Sequence, residues 1–216
     1  MNLIKFFSNF FNKNKSEPDK VVKPDIHCIN IDDIKSAIKI TKTPEEYFGN
    51  GYNENRKNLL IIDDNFGIVS LLKDSLKNYD NIKKLNFLTI KGQNAPVDFI
   101  CLSSNNESFK IDYLIVDLIF GCVVKTDDKI IKLSGIDILC EGLKKNKNLK
   151  FLIFTGNRLD ETITENREMI KKFKKITGNK NIFDYVIFKG KNTFDERNKI
   201  ILEKFFGEKQ NEEKTN

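Results

Sequence analysis

Four short apolar runs, each closed by a polar group, limit what this chain can fold into. They are Leu59-Leu60-Ile61-Ile62 before Asp63-Asp64, Ile111 to Val116 before Asp117, Phe151-Leu152-Ile153-Phe154 before Thr155, and Tyr185-Val186-Ile187-Phe188 before Lys189. Runs of this length suit strands covered on both faces, as in the middle of a parallel sheet. Between them the apolar residues shift to helical spacing, as at Ile68, Leu71, Leu72 and Leu76 after the first run. Strand and helix in alternation is the α/β pattern. It predicts that the four polar closures meet along one edge of the sheet, where open α/β folds bind their ligands.

The remaining pattern is filled in around these runs. Asn86–Ile90 reads as a further strand closed by Lys91-Gly92, and Val97–Leu102 fits a strand or a short helix equally well. Residues 121–133 read as a connection longer than an α/β unit usually needs, with Thr126-Asp127-Asp128 suited to a hairpin tip. Ser134-Gly135 then opens a helix that turns Ile138, Leu139 and Leu143 inward, and a lysine-rich helix spans about 166–176. The last strand is expected over 183–188. Thr193-Phe194-Asp195-Glu196 forms a capping box before a final helix that carries Ile200, Ile201, Leu202, Phe205 and Phe206.

The first 57 residues are of a different kind. Leu3, Phe6, Phe7, Phe10 and Phe11 recur at helical spacing, which predicts an amphipathic helix over 1–12. Residues 13–57 read as a linker and a helical extension, with helices from Ile31 to Ile40 and from a capping box at Thr43-Pro44-Glu45-Glu46. The main domain is expected over 58–207, followed by a polar tail over 208–216. The helix at 1–12 is suited to a membrane surface, to a partner's groove, or to folding back on the domain.

Composition excludes several classes. With 39% hydrophobic and 31% charged residues, the 216-residue chain reads as globular rather than disordered. No apolar run approaches the roughly 20 residues of a membrane span, and the start lacks the pattern of a secretory leader. Cys28, Cys101, Cys122 and Cys140 are far apart, which speaks against a zinc site or a disulfide framework and fits a reducing cytoplasm. His27 is the single histidine, so a Ser-His-Asp or Cys-His scheme would depend on it alone. The net charge of +6 reads as a lysine-rich solvated surface, and nucleic acid is not the expected partner.

Asp63, Asp64 and Asp117 at neighbouring strand ends would repel one another without a cation. An all-oxygen cluster suits Mg²⁺ or Mn²⁺. A hydroxyl at Thr155 and an ammonium at Lys189 are the groups wanted for phosphoryl oxygens, and aspartate is a known phosphoryl acceptor. The motifs Ile-Ile-Asp63-Asp64-Asn, Ile-Val-Asp117-Leu, Ser-Gly135-Ile-Asp-Ile-Leu, Phe-Thr155-Gly156 and Phe-Lys189, in this order, resemble those of response-regulator receiver domains (CheY-like) of two-component systems.

The resemblance runs from about Asn58 to Phe206 and implies a doubly wound, five-stranded parallel sheet flanked by helices, flavodoxin-like, here with an N-terminal helical extension. It makes Asp117 the phospho-acceptor and a metal ligand. Asp64 would hold Mg²⁺ (or Mn²⁺) directly, Asp63 through water, and Ile119 through its backbone carbonyl. Thr155 and Lys189 would contact the phosphoryl group. The donor would be a sensor histidine kinase or a phosphotransfer protein. Enzymatic activity would extend only to self-phosphorylation and autodephosphorylation. Without a helix-turn-helix pattern, output is expected by contact with a downstream protein, in the cytoplasm or peripherally at the membrane. The sequence departs from the family at Gly190, where proline is usual, at Val186, where an aromatic residue is usual, and in the length of 121–133. The second strand and helix also match poorly. The competing reading is a receiver-like interaction module that is not phosphorylated and binds a protein or a membrane surface. A haloacid-dehalogenase-type phosphatase would want Asp-x-Asp, a spacing that Asp63-Asp64 lacks.

Overall fold

The computed structural model describes Ile34 and residues 52–76, 79–92, 94–105, 109–125, 130–156, 159, 162–189 and 196–206. The expected helix at 1–12, the linker, the capping boxes at Thr43 and Thr193, Gly190 and the tail at 208–216 lie wholly or largely outside these residues.

The strands are β1 (Asn58–Asp63), β2 (Asn86–Lys91), β3 (Tyr113–Val116), β4 (Ile119–Lys125), β5 (Ile130–Ser134), β6 (Lys150–Thr155) and β7 (Val186–Phe188). The helices are α1 (Phe66–Leu76), a single turn α2 (Asp80–Lys83), α3 (Ala95–Asn105), α4 (Gly135–Lys145), α5 (Thr164–Thr177) and α6 (Glu196–Phe206). Five strands pair in parallel in the order β2-β1-β3-β6-β7. Set aside the β4–β5 ribbon and this is the doubly wound 2-1-3-4-5 order of flavodoxin-like folds.

The period of two along β1 explains the two-sided core. Leu60 and Ile62 face one side, with Leu114, Val116, Ile153, α3, α4 and α5. Leu59 and Ile61 face the other, with Ile115, Leu152, Phe154, α1 and α6. Ile34 is fully buried in the first of these clusters. On α1 the inward residues are Val69, Leu72 and Leu76, whereas Leu71 is 46% exposed. On α6 Leu202, Phe205 and Phe206 are buried and Ile200 points outward. Both exposed residues fit an apolar stripe on paper; the angle at which each helix meets the sheet selects the neighbouring positions.

Three further expectations are corrected. The segment 121–133 is more than a long connection: its described residues, 121–125 and 130–133, belong to an antiparallel ribbon, β4 paired with β5, that starts two residues after Asp117. Phe120, Cys122, Val124, Ile131 and Leu133 bury its inner face in the core, and Ile119, Val123 and Ile130 stay exposed. The expected tip at Thr126-Asp127-Asp128 lies outside the described residues. The last strand is shorter than 183–188, because Ile182–Tyr185 form a 3₁₀ turn held by Asn181, whose side chain accepts the Phe183 N–H. Finally, Cys101 and Cys122 are free and buried, but Cys140 is disulfide-bonded. Spacing along the chain does not say which cysteines a fold brings together.

Candidate functional site

Register places the acids. Ile62 of β1 pairs with Val116 of β3, and the Asp117 N–H continues the ladder onto the Ile62 carbonyl at 2.9 Å. Asp63 and Asp117 are therefore neighbours, one residue past matched positions. Asp64 follows at the turn into α1, and carboxylate oxygens of all three acids lie within 4.8 Å of one another. The turn leaves these acids free of capping work. Asn65 caps α1, its side-chain oxygen accepting the Gly67 N–H at 3.0 Å and the Ile68 N–H at 3.3 Å. The Asn65 N–H in turn donates to Asp63 Oδ1 at 2.9 Å.

Lys189, just past β7, reaches across the sheet edge. Its Nζ is 2.7 Å from Asp63 Oδ2 and 2.9 Å from Asp117 Oδ2. Its backbone N–H donates to the Thr155 carbonyl at 2.8 Å, which ties the lysine to the end of β6. Thr155 is itself fully buried. Asp117 Oδ1 accepts the Leu118 N–H at 2.7 Å. Burial pushes the Asp117 carboxyl up to about 6, against the opposing pull of Lys189. Burial also raises Asp63, again partly offset by Lys189. One ammonium between two buried carboxylates does not compensate the loss of water around both.

The structure thus brings together Asp63, Asp64, Asp117 and Lys189, with Thr155 joined through the backbone of Lys189. Ile119 stands apart in kind: it opens β4, pairs with Ser134 and is 36% exposed. The donor set fits a hard divalent cation, because it is all oxygen and gathers three carboxylates within 4.8 Å of one another. The one ammonium of Lys189 is shared between Asp63 Oδ2 and Asp117 Oδ2, so three crowded acids face a single cationic side chain there.

Two residues already within the sequence motifs hold positioning roles that the sequence did not reveal. Asn65 is one, although asparagine ahead of a helical pattern is a usual cap signal. Gly135 is the other. A Cβ there would lie 2.0 Å from the Asp117 carbonyl oxygen and 2.9 Å from its carbonyl carbon. Its N–H donates to the Leu118 carbonyl at 2.9 Å, so α4 begins pressed against the backbone that presents Asp117. Ser134 and Asp137 fix that start, with Asp137 Oδ2 accepting the Ser134 N–H at 2.9 Å and its hydroxyl at 2.6 Å.

No family model matches the chain, and no curated relative does. Solved structures do show a likeness. Several of the solved structures that this fold resembles are response regulators, and another is a putative pilus assembly-related protein from Burkholderia pseudomallei. A CheY-like receiver domain protein from Methanospirillum hungatei has 20% identity and a TM-score of 0.41, covering 70% of this chain and 94% of its own. A response regulator from Burkholderia pseudomallei, solved with a phosphorylated aspartic acid, calcium and citrate, has 19% identity and a TM-score of 0.40. The match covers 69% of this chain and 66% of that regulator, just under two thirds of its length. The response regulator RcsB of Salmonella typhimurium, studied for its DNA interaction, has 16% identity and a TM-score of 0.42, with 72% of this chain and 62% of RcsB covered. At these values it is the strand order, not the superposition, that establishes the flavodoxin-like fold. Among the described residues no helix is long and apolar enough to cross a membrane.

Proposed function

We propose that this chain is a response-regulator receiver that takes a phosphoryl group on Asp117 in a Mg²⁺-dependent reaction. The observation that carries the reading is the convergence of Asp63, Asp64, Asp117 and Lys189 at the carboxyl edge of the sheet. Asp64 and Asp117, with Asp63 acting through water and the Ile119 carbonyl, are the groups to hold the cation. When bound, the cation neutralises the crowded acids and the charge on the transferring group.

The donor in this reading is a phosphohistidine on a sensor kinase or a phosphotransfer protein. An Asp117 carboxylate oxygen attacks phosphorus, the O–P bond forms and the N–P bond breaks. The electron pair returns to the imidazole, which takes a proton from water. Later attack by water on phosphorus breaks the O–P bond and restores the carboxylate. Lys189 already touches Asp117 and is the group to follow the new negative charge. Thr155, at the neighbouring strand end, is the hydroxyl to meet a phosphoryl oxygen. Output in this reading is by protein contact, for which the ribbon rooted two residues from Asp117 is well placed.

Acetyl phosphate with Mg²⁺, followed by intact mass, tests the proposal. A single phosphate adduct is expected on the wild-type chain, with none on Asp117→Asn and none in EDTA. An unmodified mass under all conditions, with no Mg²⁺ binding, would overturn it in favour of an unphosphorylated interaction module.

A further inference from the structure

The same two strands that end at Thr155 and Lys189 begin at a second feature, a groove of about 780 Å³ between the starts of β6 and β7 and the flank of α6. β6 runs from Lys150 in this groove to Thr155 at the acid cluster, a span of roughly 16 Å at strand rise. The groove is thus distinct from the site already described, and its reading is independent of the receiver proposal.

Its chemistry is uneven. Lys150, Lys180, Arg197 and Lys204 line it, against the single carboxylate of Asp184. Among the described residues, none of the four cations is ion-paired with a carboxylate. Lys180 is held instead by rings, its Nζ 5.8 Å from the centroid of Phe151 and 5.4 Å from that of Tyr185. Those two rings stack on each other at 4.8 Å, which makes a rigid support. Arg197 lies against the Phe188 ring at 5.4 Å and reaches the Phe183 carbonyl at only 3.4 Å. Apolar side chains line it beside these cations, with Phe183, Phe205 and an Ile200 that is 45% exposed.

We infer that this groove binds a free nucleotide-class ligand, a planar heteroaromatic ring carrying one or more phosphates. The volume falls in the range of small-molecule pockets, roughly 300–1,000 Å³. The unneutralised lysines and the arginine supply charge-assisted donors for phosphate oxygens. The aromatic and aliphatic side chains among them supply apolar contact for the ring. Neither part alone suggests this ligand class. A charge-only patch takes any polyanion, and an apolar slot takes any hydrophobe.

The test is calorimetric titration of the full chain with ATP, GTP and cyclic di-GMP in EDTA, which keeps metal-bound nucleotide away from the acid cluster. Inorganic pyrophosphate, adenosine and a short single-stranded oligonucleotide are the controls. At least one nucleotide is expected to bind at least tenfold tighter than both pyrophosphate and adenosine. Lys180→Ala and Arg197→Ala should each weaken it about tenfold while leaving the thermal melt in place. Lys204→Glu serves where either variant melts early. No nucleotide binding overturns the inference. So does pyrophosphate binding as tightly as the nucleotide, binding of the oligonucleotide alone, or well-folded variants that bind like the wild type.

Discussion

The two ends of strands β6 and β7 use positive charge in opposite ways. At the carboxyl end Lys189 is 13% exposed and lies within 3 Å of two buried carboxylates. At the other end four cations line an open groove, and aromatic faces hold Lys180 in place of a carboxylate. A buried charge is expensive unless compensated, so the first end is fixed by its partners. Solvent screens the second end, where unpaired lysines cost little. The difference teaches where substitution should disturb the fold and where it should disturb only binding.

The largest break is expected from Gly135→Ala. Its Cβ would meet the Asp117 backbone at 2.0 Å, and neither α4 nor the strand end can yield cheaply. A loss upward of about 4 kcal/mol in urea unfolding is expected, with Mg²⁺ binding lost in whatever fraction remains folded. A variant that melts like the wild type would show that the contact can relax.

Lys189→Ala comes next. It leaves Asp63 and Asp117 buried without their shared cation, at a cost of about 3 kcal/mol at pH 7. The cost should shrink at pH 5, where neutral carboxyl groups need no partner. Unfolding measured at both pH values decides this.

Asp117→Asn has the opposite sign. A carboxyl raised to about 6 keeps its proton in the folded chain while the unfolded chain has already lost it. Without metal, wild-type stability should therefore fall as pH rises from about 4 to 6 and level off above. The full effect is at most about 3 kcal/mol. The asparagine variant should be flatter over that window and more stable than wild type at pH 7. Saturating Mg²⁺ should remove the wild-type disadvantage. A wild-type stability that rises over the same window in EDTA would contradict the raised carboxyl.

The smallest effect belongs to the groove. Lys180→Ala should change stability by less than about 0.5 kcal/mol, as surface substitutions commonly do. A larger loss would mean that the ring support of Lys180 is structural rather than a means of presenting charge.

Much of this contrast was legible before any coordinates. Continuous apolar runs of strand length pointed to β1, β3 and β6, and the polar closures named Asp63, Asp64, Asp117, Thr155 and Lys189. For Val97–Leu102 strand and helix were both open on sequence, because a short apolar run fits both periods, and the structure makes it part of the helix Ala95–Asn105. The ribbon was harder to see. Its alternation, with Phe120, Cys122 and Val124 in and Val123 out, has meaning only once a core exists for it to cover. Leu71 and Ile200 look inward on a helical wheel and are not.

By itself the sequence determined the class of fold, the chain positions of the strand ends and the chemical kinds of group that gather there. These follow from local periodicity and from the rule that parallel strands present one common edge. Only the tertiary structure decided that Lys189 spans two acids, that Gly135 lies against the backbone of Asp117, and that four distant cations share a groove with aromatic walls. Those facts depend on distances between segments far apart in the chain, and no local pattern encodes a distance.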